Sequence, residues 1–234
     1  HERQHVTGIY DSSHIIQLAA HAQRQTYYDD SRKLCGLAAD GTERLHRTLE
    51  QRFLQKQVAA GVTGQAQLGE RDELRALGSG LLGRCGDYLA ALLGQRRIAV
   101  LADDTVASLY LDTVTAALED AGFAVCSHIF PSGEGRKNLS TLTELLEFLA
   151  SEHLTRTDCV AALGGGVTGD MAGFAAAVYL RGIRYVQLPT TLLAAVDSSV
   201  GGKTAVDLTA GKNLAGAFCQ PAAVICDTDC LKTL

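Results

Sequence analysis

Between Gly164 and Pro221 the sequence reads GGGVTGDMAGFAAAVYLRGIRYVQLPTTLLAAVDSSVGGKTAVDLTAGKNLAGAFCQP, with glycine clusters and small apolar residues interrupted by Lys, Arg, Asp and Thr. Glycine removes the Cβ barrier to close backbone approach, and Lys and Arg supply charge, so the mixture suits an anionic ligand. Arg181, Asp197, Lys203 and Lys212 are costly in so apolar a stretch unless they are paired or used on a charged group.

The segment before Gly164 sets the architecture. An apolar strand is expected over Asp158–Leu163, which then enters Gly164-Gly165-Gly166-Val167-Thr168-Gly169-Asp170 and a helix over Met171–Leu180. Strand, glycine-rich loop and helix together aim backbone N–H groups and a helix N-terminus at phosphate. The loop lacks the G-x-G-x-x-G fingerprint, so it does not by itself assign a standard dinucleotide motif. The same alternation recurs. Ile98–Ala102 reads as a strand ending in Asp103-Asp104-Thr105, which caps a helix to about Ala121, and an acidic residue there also has the position that accepts hydrogen bonds from a ribose. Ala124–Ile129 reads as a strand delivering the loop Pro131-Ser132-Gly133-Glu134-Gly135-Arg136-Lys137, followed by a helix over Leu139–Glu152 with Thr141 and Glu144 spaced as a capping box. Arg184–Leu188 is the next strand, turned by Pro189-Thr190-Thr191 into a helix over Leu192–Ser199. A short strand over Thr204–Val206 and a loop at Gly211-Lys212-Asn213 follow. About five strands alternating with helices by Val224 predict an α/β fold: an open, mostly parallel, Rossmann-like sheet with helices on both faces and ligand loops at the carboxyl ends of the strands.

Upstream, residues 1–65 are polar and rich in His, Gln and Arg, with helices expected over Ser13–Arg24 and Glu43–Ala59. No tight His pair with a neighbouring carboxylate occurs there, which favours a solvated surface over a metal site. Ala59–Gln67 has linker composition, and residues 66–234 form the expected α/β domain. A start at His1 is expected of a processed, trimmed or fragmentary chain.

Net charge is -5 with both signs interspersed, so no basic stripe for nucleic acid is present. The apolar run Met171–Leu180 is too short to span a bilayer and no secretory signal opens the sequence, so no membrane partner is expected. Seven scattered cysteines suit reduced thiols and a cytoplasmic location. Zinc at Cys219, Cys226 and Cys230 is the alternative to ordinary buried thiols, but the spacing is not a paired C-x-x-C.

The stretches GGGVTGDMAGF, RGIRYVQLPTTLLAAVDSSVGGKTAV and GKNLAGAF closely resemble the 3-dehydroquinate synthase family of NAD-dependent sugar phosphate cyclases, and similarity runs from about Leu68 to Leu234. The resemblance implies that Asp103 holds the adenosine ribose of NAD, that Ser132, Gly133, Glu134, Gly135, Arg136 and Lys137 line the nucleotide, and that Gly166, Val167, Thr168, Gly169 and Asp170 cradle its pyrophosphate. It further implies NAD contacts from Thr190, Thr191 and Cys230, Leu231, Lys232 and Thr233. Lys203 and Lys212 fall at the junction of cofactor and substrate, with Asp197, Arg181 and Asn213 in the substrate site. Arg181 matches a phosphate ligand that can reach a neighbouring subunit, so a homodimer is implied. The implied reaction converts 3-deoxy-D-arabino-heptulosonate 7-phosphate to 3-dehydroquinate by an internal redox cycle, phosphate elimination and aldol closure.

The family also uses a divalent metal, zinc or cobalt, held by a Glu and two His in a helical C-terminal domain. Those ligands lie beyond Leu234, so no metal residue is assigned, and the expectation is an NAD-binding portion that lacks turnover by itself. The competing readings are another sugar phosphate cyclase of inosose or valiolone type, an iron-containing alcohol or glycerol dehydrogenase, and a non-catalytic NAD-binding or dimerisation module.

Overall fold

The structure is a computed structural model that describes residues 65–68 and 74–234. The helices expected over Ser13–Arg24 and Glu43–Ala59 lie outside the described residues. The described residues form β1 (Gln65–Leu68), β2 (Leu74–Gly78), α1 (Cys85–Leu93), β3 (Arg97–Asp103), α2 (Asp104–Asp120), β4 (Ala124–Phe130), α3 (Leu139–Ser151), β5 (Cys159–Gly164), α4 (Gly166–Val178), β6 (Arg184–Pro189), β7 (Lys203–Leu208), β8 (Gly211–Phe218) and β9 (Ala223–Asp227).

Seven strands make one sheet in the order β1-β2-β9-β6-β5-β3-β4, parallel throughout except for β1, which runs antiparallel to β2 on the edge. Gln65–Gln67, expected in a linker, therefore belong to a strand. Both faces are covered, and the period of two along each strand divides the residues between them. Ile98, Val100 and Ala102 of β3, with Cys159, Ala161 and Leu163 of β5, enter a core shared with α1 and α2. The intervening Ala99, Leu101, Val160 and Ala162 enter a second core shared with α3 and α4. These near-continuous apolar runs are what a strand buried on both faces requires, and they made β3 and β5 readable from the sequence.

Caps fix where the helices begin. The side chain of Asp103 accepts from Val106 N at 3.0 Å and starts α2 at the end of β3. Asn138 does the same for α3, accepting from Thr141 N at 3.0 Å. The capping box expected at Thr141 and Glu144 is therefore not used. The extended backbone that an N-cap needs lies at Asn138, and Glu144 instead meets His128 Nε2 of β4 at 2.9 Å.

The small residues of α4 serve close packing on two sides. A Cβ on Gly173 would lie 2.5 Å from Thr204 Cγ2 of β7 and 3.1 Å from ring atoms of Tyr185 on β6. The antiparallel hairpin β7–β8 lies outside the main sheet, with Val206 and Ala215 in the core that contains α4. Gly211-Lys212-Asn213, expected as a loop, opens strand β8, although Asn213 keeps a left-handed backbone at φ +56°.

Candidate functional site

From β3 the chain moves outward to β4, whereas from β5 it moves the opposite way to β6. The winding therefore reverses between β3 and β5, and the carboxyl ends of these strands flank the crevice where open α/β sheets bind ligands. Asp103 stands at the end of β3 and Gly164 at the end of β5. Thr168, in the first turn of α4, bridges them by donating to Asp103 Oδ2 at 3.1 Å.

Gly166 to Asp170 form the opening of α4 rather than a loop before it, since Gly169 N already donates to Gly165 O at 3.0 Å. Glycine is a poor helix former, so the sequence placed this start five residues late. The N-cap residue Gly165 has no side chain to satisfy the first N–H groups. Thr190, at the end of β6, lies beside this opening through its own N–H, which donates to Gly164 O at 3.0 Å. Thr190 Oγ1 close by, and Ser198 Oγ and Ser199 Oγ at the end of the next turn, are buried hydroxyls with no hydrogen-bond partner among the described residues. A Cβ on Gly166 would lie 3.3 Å from Ser198 Oγ, which brings the turn Ala194–Ser198 against the helix end. An uncapped helix N-terminus ringed by unpaired hydroxyls fits the phosphate groups of a dinucleotide such as NAD. Thr191 plays a local part, its hydroxyl accepting from Ala194 N at 3.2 Å.

The loop after β4 forms the neighbouring wall. Ser132 N donates to Asp104 Oδ1 at 3.0 Å, and hydrogen bonding from the Ser132 hydroxyl first and its N–H second holds the Asp104 carboxyl below its ordinary value. Ser132, Gly133, Glu134, Gly135 and Arg136 are exposed, whereas Lys137 is buried. Its ammonium lies 2.5 Å from Asp170 Oδ2 and donates to Asn213 Oδ1 at 2.5 Å. Burial pushes the Asp170 carboxyl up, with Lys137 pulling in the opposite direction. Lys212 reaches the same loop through Glu134 Oε1 at 3.0 Å, and that contact raises the lysine's affinity for its proton.

The turn Thr228–Thr233 after β9 stands on the same edge of the sheet. It joins α2 through Thr233 Oγ1 and Tyr110 Oη at 2.5 Å, while Lys232 donates to Asp229 Oδ1 at 2.7 Å and Cys230 is buried. Asp197 is exposed in the turn Ala194–Ser198, and Lys203 opens β7 opposite Phe218.

Arg181 is the predicted site residue that the fold carries away. Because α4 starts at the carboxyl edge and runs back along the sheet, Arg181 precedes β6 at the amino edge, a full strand length from Thr190. Leu180, Arg181 and Gly182 there all have positive φ, +49°, +68° and +117°. Sequence reasoning also passed over Asp207, whose carboxylate accepts from Asn213 N at 2.7 Å, and Ser198 and Ser199, which it read only as a helix end. An acidic residue closely preceding a Gly-Lys-Asn turn was the available signal for the first. Among the described residues no group of three His, Cys, Asp or Glu side chains comes together to hold a metal, Cys219, Cys226 and Cys230 included.

Residues 127–234 match the family described as 3-dehydroquinate synthase N-terminal. The 3-dehydroquinate synthase of Paracoccus denitrificans is 49% identical over 172 residues, covering 74% of this chain and 47% of the relative. That of Rhodospirillum rubrum is 52% identical over 167 residues, covering 71% and 43%. The chain thus spans about half the length of these relatives. Among solved structures, 2-deoxy-scyllo-inosose synthase complexed with carbaglucose-6-phosphate, NAD+ and Co2+ superposes with a TM-score of 0.67 at 32% identity, covering 74% of this chain and 47% of that one. The 2-epi-5-epi-valiolone synthase of Streptomyces hygroscopicus, with NAD+ and Zn2+ bound, gives 0.64 at 29% identity with the same coverage. An iron-containing alcohol dehydrogenase at 18% identity and a TM-score of 0.58 shares the fold alone. Residues 127–234 thus match the N-terminal domain of the 3-dehydroquinate synthase family, and the chain is similar to named 3-dehydroquinate synthases at 49% and 52% identity over 172 and 167 residues.

Proposed function

We propose that the chain is the NAD-binding portion of a 3-dehydroquinate synthase, which converts 3-deoxy-D-arabino-heptulosonate 7-phosphate to 3-dehydroquinate and phosphate in a cytoplasmic shikimate pathway. One observation carries the reading: the uncapped N-terminus of α4 and the unpaired Thr190, Ser198 and Ser199 hydroxyls meet at the winding reversal. In this reading residues 66–234 form one nucleotide-binding domain. The opening of α4 from Gly166 to Asp170, with Thr190 and Thr191, receives the pyrophosphate. Asp103, the 132–137 loop and the turn containing Cys230, Leu231, Lys232 and Thr233 enclose the nucleoside. Lys203, Lys212, Asp197 and Asn213 face the sugar phosphate, where the two lysines balance the charge of its phosphate.

Bound NAD supplies a hydride acceptor. A divalent metal belongs to the reading for the complete enzyme, but the described residues offer it no ligand set. In this reading Arg181, which precedes β6 at the amino edge of the sheet, serves the site of a second copy in a homodimer.

Calorimetric titration of the chain with NAD tests the reading. Saturable one-site binding that Gly166→Val abolishes is expected, and heat no greater than dilution would remove the reading. The likeness to inosose and valiolone synthases favours a second substrate assignment. Phosphate release by a complete enzyme carrying this domain, from heptulosonate phosphate against sedoheptulose 7-phosphate, separates the two.

A further inference from the structure

We propose that Asp207 is a positioning residue, which sets Lys212 and Asn213 against the 132–137 loop; the inference rests on the reading of this loop and hairpin as one site. Asp207 holds both sides of the junction. Its backbone N–H donates to Lys137 O at 2.8 Å, and it forms a parallel bridge with Asn138 at the start of α3. Its carboxylate accepts from Asn213 N at 2.7 Å, on the opposite strand of the hairpin. The ladder between β7 and β8 is irregular between Val206 and Leu208, so ordinary strand pairing does not fix Asn213 there.

Asn213 needs such support. A non-glycine residue at φ +56° is held in a sparsely populated conformation, which persists only where surrounding contacts determine it. The Asp207 carboxylate is the contact that does so, in the manner of an acidic side chain closing a turn on a backbone N–H. With the left-handed residue fixed, Asn213 Oδ1 is delivered to Lys137 Nζ at 2.5 Å and Lys212 Nζ to Glu134 Oε1 at 3.0 Å. The negative charge of Asp207 also reaches both Asp170 and Lys212. Asp207 thus meets the 132–137 loop through its backbone and Asn213 through its side chain.

The experiment uses the full 234-residue chain with Asp207→Ala, Asp207→Ser and Asp207→Asn. Two readouts are taken: the rate at which acetic anhydride modifies Lys137 and Lys212, resolved by mass spectrometry, and NAD affinity by calorimetry. Asp207→Ala is expected to raise the acetylation rate of Lys137 and weaken NAD binding by roughly tenfold each, the size of one lost hydrogen bond to a charged group. Asp207→Asn keeps an acceptor and is expected to restore both, which a general loss of stability would not produce. Asp207→Ser, too short to reach Asn213 N, is expected to behave as the alanine variant and serves if that variant fails to fold. In the wild-type chain the Asn213 amide is expected to exchange slowly with solvent although the residue is exposed. Unchanged lysine reactivity in the alanine and serine variants, or fast exchange at Asn213, overturns the proposal. Absence of NAD binding by the wild type, with the lysine reactivities changing as stated, removes the functional reading and leaves the positioning role standing.

Discussion

The hydroxyl of Thr168 donates to Asp103 Oδ2 at 3.1 Å and so ties the opening of α4 to the end of β3 across the crevice where the winding reverses. The other oxygen of Asp103 is occupied by Val106 N, which makes the carboxylate a joint between two helix starts. Thr168→Val keeps the shape and removes the donor. It is expected to cost about 1.5–3 kcal/mol in urea denaturation, the usual worth of a hydrogen bond to a charged group. Thr168→Ser should restore most of it.

Lys137 and Asp170 make a pair that water barely reaches, with side chains 8% and 16% exposed. Removing one partner leaves the other buried and unpaired, so Lys137→Met is expected to lose about 3–5 kcal/mol at neutral pH. The sign with pH follows from Asp170. Burial already raises its folded-state value above the ordinary 3.8, and loss of Lys137 raises it further. Protonation relieves the cost, so the deficit of the variant should be full at neutral pH and shrink as the pH falls through the raised value. A deficit that stays the same as the pH falls from neutrality through the carboxylate range would contradict this.

Gly173 sits where α4 is pressed between Tyr185 and Thr204. Alanine is the better helix former by about 1 kcal/mol, which alone favours Gly173→Ala. The added Cβ would meet Thr204 Cγ2 at 2.5 Å, and overpacking of this kind costs about 1–3 kcal/mol. The crowding is expected to outweigh the propensity gain and lower the melting temperature. A higher melting temperature would show that the hairpin gives way.

The buried thiols should be chemically silent. Burial pushes Cys85, Cys159 and Cys226 up to about 12, and Cys126 and Cys230 to about 11. A thiol at about 12 is thiolate in roughly one molecule in ten thousand at pH 8, and the thiolate is the reactive form. Iodoacetamide at pH 8 should therefore leave the four buried thiols, Cys85, Cys159, Cys226 and Cys230, unmodified in the folded protein and label them after denaturation, with half-buried Cys126 slowed. Their proton is held more tightly when folded, so the stability they contribute is present below about pH 9 and is lost as pH rises towards 12.

The parts of the fold that local pattern determines were legible in the sequence. β3 and β5 announce themselves because both faces of each are buried, and Asp103 announces the start of α2 because a cap needs a short acceptor at that place. β8 did not, since Gly211-Lys212-Asn213 have turn chemistry and become strand only by pairing with β7. Nor did the extent of α4, whose opening glycines are held helical by Thr168 and the sheet beneath them. The candidate site divides in the same way. Its glycine-rich opening is a contiguous signal, whereas Lys137, Asp170, Asp207 and Asn213 meet only after three separate segments fold together. Arg181 was legible as a residue type, and its distance from the site is set by the direction of α4, which no single residue encodes.

The order of strands has a consequence for how the protein is made. Leu74 to Gly78 emerge from the ribosome well before their parallel partners, Ala223 to Asp227, the last of the sheet's strands among the described residues. The carboxylate of Asp227 also accepts from Gly80 and Leu82 N–H groups, closing the turn that leads into α1. Until synthesis reaches Asp227, one edge of β2 stays open and α1 has no completed sheet to rest on. Such non-local closure is slow and leaves a strand edge open to the wrong partner. The nucleotide end of this protein can therefore assemble around β3, β5 and β6 while its opposite flank is still waiting, and translation stalled before Asp227 would leave that flank open to aggregation.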